Sequence, residues 1–127
     1  MDILLDTHAA IWFLEDDKRL PKSAVEAIFN LENLIFISIA SLWELAIKIS
    51  TGKLEFDGGL EAFLEAASIN EFALLEISPE HIKRVVGLPF IHRDPFDRLL
   101  IAQAEVEDMS IMTADDNIVK YGVNSIW

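Results

Sequence analysis

Apolar runs of strand length alternate with longer stretches of helical spacing along this chain, and that alternation restricts its fold more than any other feature. Ile3 to Asp6 reads as a first strand and Ala9 to Glu15 as the helix after it. Pro21 starts a second helix through Val25, Ile28 and Phe29. Ile35-Phe36-Ile37-Ser38 is a β-branched and aromatic strand, and Ser41 to Ser50 is a helix that stops at Gly52. Leu60, Phe63, Leu64 and Ala67 recur at helical spacing beyond the Gly58-Gly59 break. Ala73 to Ile77 reads as a third strand, Ser78-Pro79-Glu80 as a helix start, and Asp94-Pro95 as the start of a helix reaching about Asp108. Ser110 to Thr113 and Val123 to Ile126 complete the strands. Short apolar strands separated by helices predict the α/β class, with a mainly parallel sheet covered on both faces. In such sheets a ligand site lies beyond the carboxyl ends of the strands, at a switch in strand order.

The 127 residues form one domain, 1–127, long enough to bury a true core. Hydrophobic residues make up 52% of the chain, and the mean hydropathy is +0.31, high enough to expect some apolar surface to meet a partner. The apolar stretch from Leu34 to Trp43 contains Ser38 and Ser41 and falls short of the ~20 residues a membrane span needs. Met1-Asp2 places an acid where the basic start of a signal peptide belongs. The absence of cysteine excludes disulfides and thiolate zinc sites and fits a cytoplasmic protein. A net charge of −12 argues against nucleic-acid binding by the usual basic surface. The exception is an enzyme that meets phosphate through metal ions held by carboxylates.

Four acids occupy positions where a folded chain gains nothing from a charge. Asp6 ends the run Ile3-Leu4-Leu5, and Glu44 interrupts Leu42-Trp43-Glu44-Leu45-Ala46-Ile47. Asp97 precedes Leu99-Leu100-Ile101-Ala102, and Asp115 follows Ser110-Ile111-Met112-Thr113. Simpler roles exist for each: Asp6 can cap the helix from Ala9, Glu44 can pair with Lys48 one turn on, and Asp94 and Asp97 resemble a capping box. Capping is assigned to Asp94, and Asp97, further into its helix, to metal binding. Of Asp115 and Asp116, one caps the helix near Asn117 and the other faces the site, with Asp116 the alternate ligand. Converging unit charges ~5 Å apart repel by ~3 kcal/mol per pair at a dielectric of ~20. Such a cluster needs a counterion or protonation, and all-oxygen donors favour Mg²⁺ or Mn²⁺ over zinc.

Leu4-Leu5-Asp6-Thr7-His8, Ser41 to Lys48, His92 to Ala102 and Thr113-Ala114-Asp115 together resemble the PIN domain family, most closely its VapC-type toxins. They occur in family order and span nearly the whole chain. The resemblance implies a three-layer α/β/α sandwich around a parallel sheet and a metal-dependent endoribonuclease of a toxin–antitoxin pair. It assigns Asp6, Glu44, Asp97 and Asp115 as the catalytic metal ligands, Mg²⁺ as cofactor with Mn²⁺ possible, and RNA as substrate. It also implies a homodimer and a cognate antitoxin whose C-terminal segment covers the active site. Hydrolysis of this kind leaves a 5′-phosphate and a 3′-hydroxyl.

Around the acids, Thr7 reads as a hydroxyl that orients a carboxylate or phosphate oxygen. Lys48, Lys53, His92, Arg93 and Arg98 are the candidate phosphate contacts, Lys48, Arg93 and Arg98 foremost. His81 reads as structural, and His8 as either structural or substrate-facing. Trp12, Phe13 and Trp43 read as core, with Trp12-Phe13 also able to supply apolar anchors for a partner. Two competing classes remain. An aspartyl-phosphate domain, receiver- or phosphatase-like, would need a middle strand ending in Asp and a late-strand Lys, which Ile35–Ser38 and Val123–Ile126 lack. A non-enzymatic acidic interaction module would lose nothing on Asp6→Asn or Asp97→Asn.

Overall fold

The structure, a computed structural model, describes residues 1–127. Its centre is β1 (Asp2–Leu5), whose Ile3, Leu4 and Leu5 are fully buried. Alternation along the strand sends Ile3 and Leu5 into one core cluster and Leu4 into the other, so both faces of the sheet are dry. β1 pairs in parallel with β2 (Leu34–Ser38) on one side and β4 (Ser110–Met112) on the other. β3 (Ala73–Leu75) pairs outside β2, and β5 (Ser125–Ile126) outside β4, giving the order β3-β2-β1-β4-β5.

Seven helices cover this sheet: α1 (Thr7–Leu14), α2 (Lys22–Phe29), α3 (Ile39–Ser50), α4 (Gly59–Ile69), α5 (Pro79–Val86), α6 (Pro95–Glu107) and α7 (Asp116–Val119). The chain builds outward from β1 to β2 and β3, then crosses back to β4 on the other flank. The switch in strand order therefore falls between β1 and β4, where Asp6 and Asp115 follow the strands. The α/β class and the three-layer sandwich expected from the sequence are both present.

Local chemistry explains the boundaries. β2 runs straight into α3 because Ser38 caps that helix, its Oγ accepting the Ala40 N–H at 3.0 Å. Ser38 is also the last partner of β3, opposite Leu75, so the third strand stops there instead of continuing to Ile77. α4 follows Gly58, whose φ of 84° and the 2.6 Å that a Cβ would leave to the Ala62 Cβ demand glycine. Pro95 opens α6 at a position that needs no N–H.

One core expectation is corrected. Trp43 is 61% exposed: Glu44 takes the inward direction on α3, and the indole lies a third of a turn away, edge-on to Phe96. Trp12 and Phe13 are half-buried against the core. No helix is long and apolar enough to cross a membrane.

Candidate metal centre

Three helix starts meet near the carboxyl ends of β1 and β4. Asp6 caps α1, its Oδ1 accepting the Ala9 N–H at 2.7 Å. Asp115 caps α7, its Oδ1 accepting the Asn117 N–H at 2.9 Å. Asp94 caps α6, taking the Phe96 and Asp97 N–H groups at 2.9 and 3.0 Å, which sets Asp97 in the first turn. Positive helix ends favour anions at all three places. Capping and facing the site are thus not alternatives. The expected division of labour between Asp115 and Asp116 is corrected: Asp115 caps the helix and also acts on the other acids, while Asp116 is exposed.

Glu44 reaches the same region from α3 and is buried. Thr7 Oγ1 donates to Glu44 Oε1 at 2.7 Å and lies 3.0 Å from Ser41 Oγ. Lys48 Nζ donates to Glu44 Oε2 at 2.9 Å, one helical turn on, so the pairing weighed from spacing exists at the site itself.

The electrostatics show that these acids crowd one another. Burial pushes the Asp6 carboxyl above its ordinary range, and the Asp115 charge adds to the rise, against the Thr113 hydroxyl and the Ala9 amide. Asp97 is pushed up to about 6, by burial first and by Asp94 next; Glu44 and Asp115 raise it further, while the His92 hydrogen bond opposes them. Glu44 and Asp115 both act on Asp97, and Asp115 also acts on Asp6. All four acids therefore belong to one charged neighbourhood.

Their spacing is open. The tightest set of possible donors is His92, Asp94 and Asp97, whose atoms lie within 4.8 Å of one another, and no three of the four acids approach as closely. Asp6, Glu44, Asp97 and Asp115 are the residues that would hold a cation here. The donor set, all carboxylate oxygen, fits a hard divalent ion.

The basic candidates separate. Lys48 lies at the acids, and Arg93 and Lys53 are exposed side chains. Arg98 departs from the expected phosphate contact: it is buried, donating to the carbonyls of Pro89, Val85 and Leu88 and to the Tyr121 hydroxyl. Its guanidinium also lies 4.3 Å from the centre of the Phe90 ring. His81 is structural, as expected: it is buried and completes a capping box with Ser78. His8 is exposed and, with Asp6, Trp12, Ala114 and Asp115, lines a cleft of about 250 Å³. Ser41 and Thr113 stand within the stretches that resemble the family, without an assigned role, and nothing in the spacing of Tyr121 distinguishes it.

The sequence matches the PIN domain family model over residues 3–124. It is 28% identical over 114 residues to Ribonuclease VapC22 of Mycobacterium tuberculosis (strain ATCC 25618 / H37Rv), covering 89% of this chain and 86% of that one. The fold is similar to VapBC2 from Rickettsia felis bound to a DNA fragment from their promoter, with a TM-score of 0.70 at 19% identity, covering 99% of this chain and 98% of that one. It is also similar to VapBC-1 from nontypeable Haemophilus influenzae, with a TM-score of 0.72 at 16% identity and coverage of 99% and 97%. The family match runs from the first strand almost to the last and takes in every acid described above, so the chain belongs to the PIN domain family.

Proposed function

We propose that this chain is a divalent-metal-dependent endoribonuclease and the toxin of a toxin–antitoxin pair. The observation that carries the reading is the gathering of Asp6, Glu44, Asp97 and Asp115 in one neighbourhood, where burial first and nearby carboxylates after it raise the proton affinity of Asp6 and Asp97. A protein that had no use for that repulsion would relax it by substituting one acid. The 28% identity with Ribonuclease VapC22 supports ribonuclease chemistry, and the likeness to VapBC structures supports an antitoxin partner.

In this reading Asp6, Glu44, Asp97 and Asp115 hold Mg²⁺ or Mn²⁺. The ion supplies Lewis-acid chemistry at the scissile phosphate and screens the substrate charge. Thr7 fixes the direction of Glu44 through its 2.7 Å hydrogen bond, and the second Glu44 oxygen is held by Lys48. The Lys48 side chain, 38% exposed, also offers a positive charge to an approaching phosphate. Arg93, exposed one position before the Asp94 cap, is a second candidate contact for phosphate. The cleft between His8, Trp12 and Asp115 gives an antitoxin segment a place to cover the acids.

An exposed apolar strip on α3, α5 and the loop after it supports a homodimer. Trp43, Ile47, Ile82, Val86 and Phe90 are all exposed there, and Trp43 and Ile82 line a groove of about 220 Å³ with Phe96 and Leu99. The direct test is RNA cleavage by purified, antitoxin-free protein with Mg²⁺ and with excess EDTA, wild type against Asp97→Asn. Cleavage that requires Mg²⁺, fails in Asp97→Asn and leaves 5′-phosphate ends is the expected result. Equal cleavage in EDTA overturns the reading.

A further inference from the structure

Arg98 is a buried cation with no carboxylate in ion-pair distance, an arrangement that is costly unless every donor is met. Its donors are met by a short segment of chain. Nη1 reaches Pro89 O at 2.8 Å and the Tyr121 hydroxyl at 3.0 Å, and Nη2 reaches Val85 O and Leu88 O at 3.2 and 3.4 Å. The end of α5 and the start of the loop before α6 are thereby fastened to α6 itself.

Tyr121 continues the chain of contacts. Its oxygen accepts the His92 N–H at 3.0 Å and the Arg98 Nη1–H, and its hydroxyl donates to His92 O at 3.3 Å. The phenol therefore grips the His92 peptide from both sides, with all its hydrogen-bonding capacity in use. The His92 side chain then turns to the acids, its Nε2 lying 2.9 Å from Asp97 Oδ2. Tyr121 follows α7, the helix capped by Asp115. One hydroxyl thus links the segment bearing Asp115 to the segment bearing Asp97.

We propose that Arg98, Tyr121 and His92 are positioning residues that set Asp97 for cation binding. His92 holds Oδ2, so the carboxylate presents Oδ1 to the cluster in one orientation. Tyr121 and Arg98 keep His92 from swinging away with its loop. Residues that orient a metal-binding carboxylate in this way raise the affinity of the site without touching the ion. The proposal rests on the divalent-cation reading above.

The test is Mn²⁺ binding by the full-length, antitoxin-free protein, followed by calorimetry and by the Mn²⁺ resonance signal, with Tm measured in EDTA. Tyr121→Phe keeps the ring and removes only the hydroxyl. It should weaken Mn²⁺ binding by roughly tenfold or more and shift Tm in EDTA by only a few degrees. His92→Ala should weaken binding to a similar extent, whereas His92→Gln, which can still donate to Asp97, should restore most of it. The double variant Tyr121→Phe/His92→Ala should lose little beyond the larger single loss, because both changes cut one chain. Unchanged Mn²⁺ affinity in Tyr121→Phe, with or without a lower Tm, overturns the proposal and leaves a purely structural staple. Fully multiplying losses in the double variant overturn it as well. Failure of the wild type to bind Mn²⁺ overturns the cation reading and this proposal together, and is distinguishable from the other outcomes for that reason.

Discussion

Two polar networks are buried in this molecule, and they are built on opposite principles. Behind β2 and β3, Ser38 Oγ donates to Gln103 Oε1 at 2.5 Å, and Gln103 Nε2 reaches Glu76 O at 3.3 Å. His81 Nδ1 accepts the Ser78 N–H at 3.0 Å, which leaves the proton on Nε2 to face Glu107 at 2.9 Å. Each donor there has an acceptor, and no buried side-chain polar atom of the molecule lacks a partner. At the ends of β1 and β4, by contrast, acids face acids, with Lys48 and His92 as the basic side chains bonded to them. The first network is closed and satisfied, as stability alone demands. The second is satisfied in hydrogen bonds yet frustrated in charge. Unrelieved repulsion among well-anchored groups is the mark of a place kept for a ligand.

The contrast can be broken at either end, and the largest effect is expected at the acids. Asp97→Asn should lower RNA cleavage at least about a hundredfold, measured with Mg²⁺ present. In EDTA the same substitution should raise Tm, because it removes one of the repelling charges. A lower Tm in EDTA would show that the acids are not in conflict.

Mg²⁺ or Mn²⁺ at a hundred times its Kd should raise the unfolding free energy of the wild type by about 2.7 kcal/mol. Asp6→Asn should abolish most of that gain, and changes in the Gln103 network should not. Thermal unfolding with and without the ion decides the point.

The pH dependence has a definite sign. Asp97 titrates near 6 in the folded chain against an ordinary value of 3.8, so the folded state binds the more protons between those values. Stability in EDTA should therefore rise as pH falls from about 7 towards about 4, by up to about 2–3 kcal/mol, and level off below. Asp6, also raised, acts in the same direction. Saturating Mg²⁺ should flatten the rise, because a bound cation keeps the carboxylates ionised. Urea unfolding at stepped pH measures both curves.

In the closed network, His81→Leu should cost about 1–3 kcal/mol for each buried partner left unpaired, while cleavage per folded molecule stays unchanged. The smallest effect is expected at the rim: Lys48→Ala should change stability by no more than about 1 kcal/mol. A rise in the KM for RNA together with a modest fall in kcat would match a side chain that both greets the phosphate and holds Glu44.

Much of this was legible in the residues. The apolar runs gave the strands, and Asp94-Pro95 and Ser78-Pro79 gave two helix starts because capping chemistry is local. The four acids stood out because each interrupts or borders an apolar run, where a charge without a role is costly. Two errors share one cause. Trp43 precedes Glu44 and Arg98 follows Asp97, and neighbouring positions on a helix point about a third of a turn apart. With Glu44 turned inward, Trp43 faces out; with Asp97 turned to the site, Arg98 turns into the body of the protein. Helical spacing alone puts Trp43 in the core, and adjacency to Asp97 alone puts Arg98 at the acids, but neither fixes the direction of a single side chain. The grip of Tyr121 on His92 depends on the path of a loop across 29 residues of separation, which no local pattern encodes.

The acids also lie far apart along the chain, the first at position 6 and the last at 115, and that separation has a temporal consequence. Synthesis proceeds from the N-terminus, so a polypeptide still on the ribosome exposes Asp6 and Glu44 long before Asp115 is made. The centre cannot assemble until β4 and α7 emerge and the sheet closes on its far flank. An activity aimed at RNA would thus stay silent beside the message being translated until the last of these acids has emerged and folded into place.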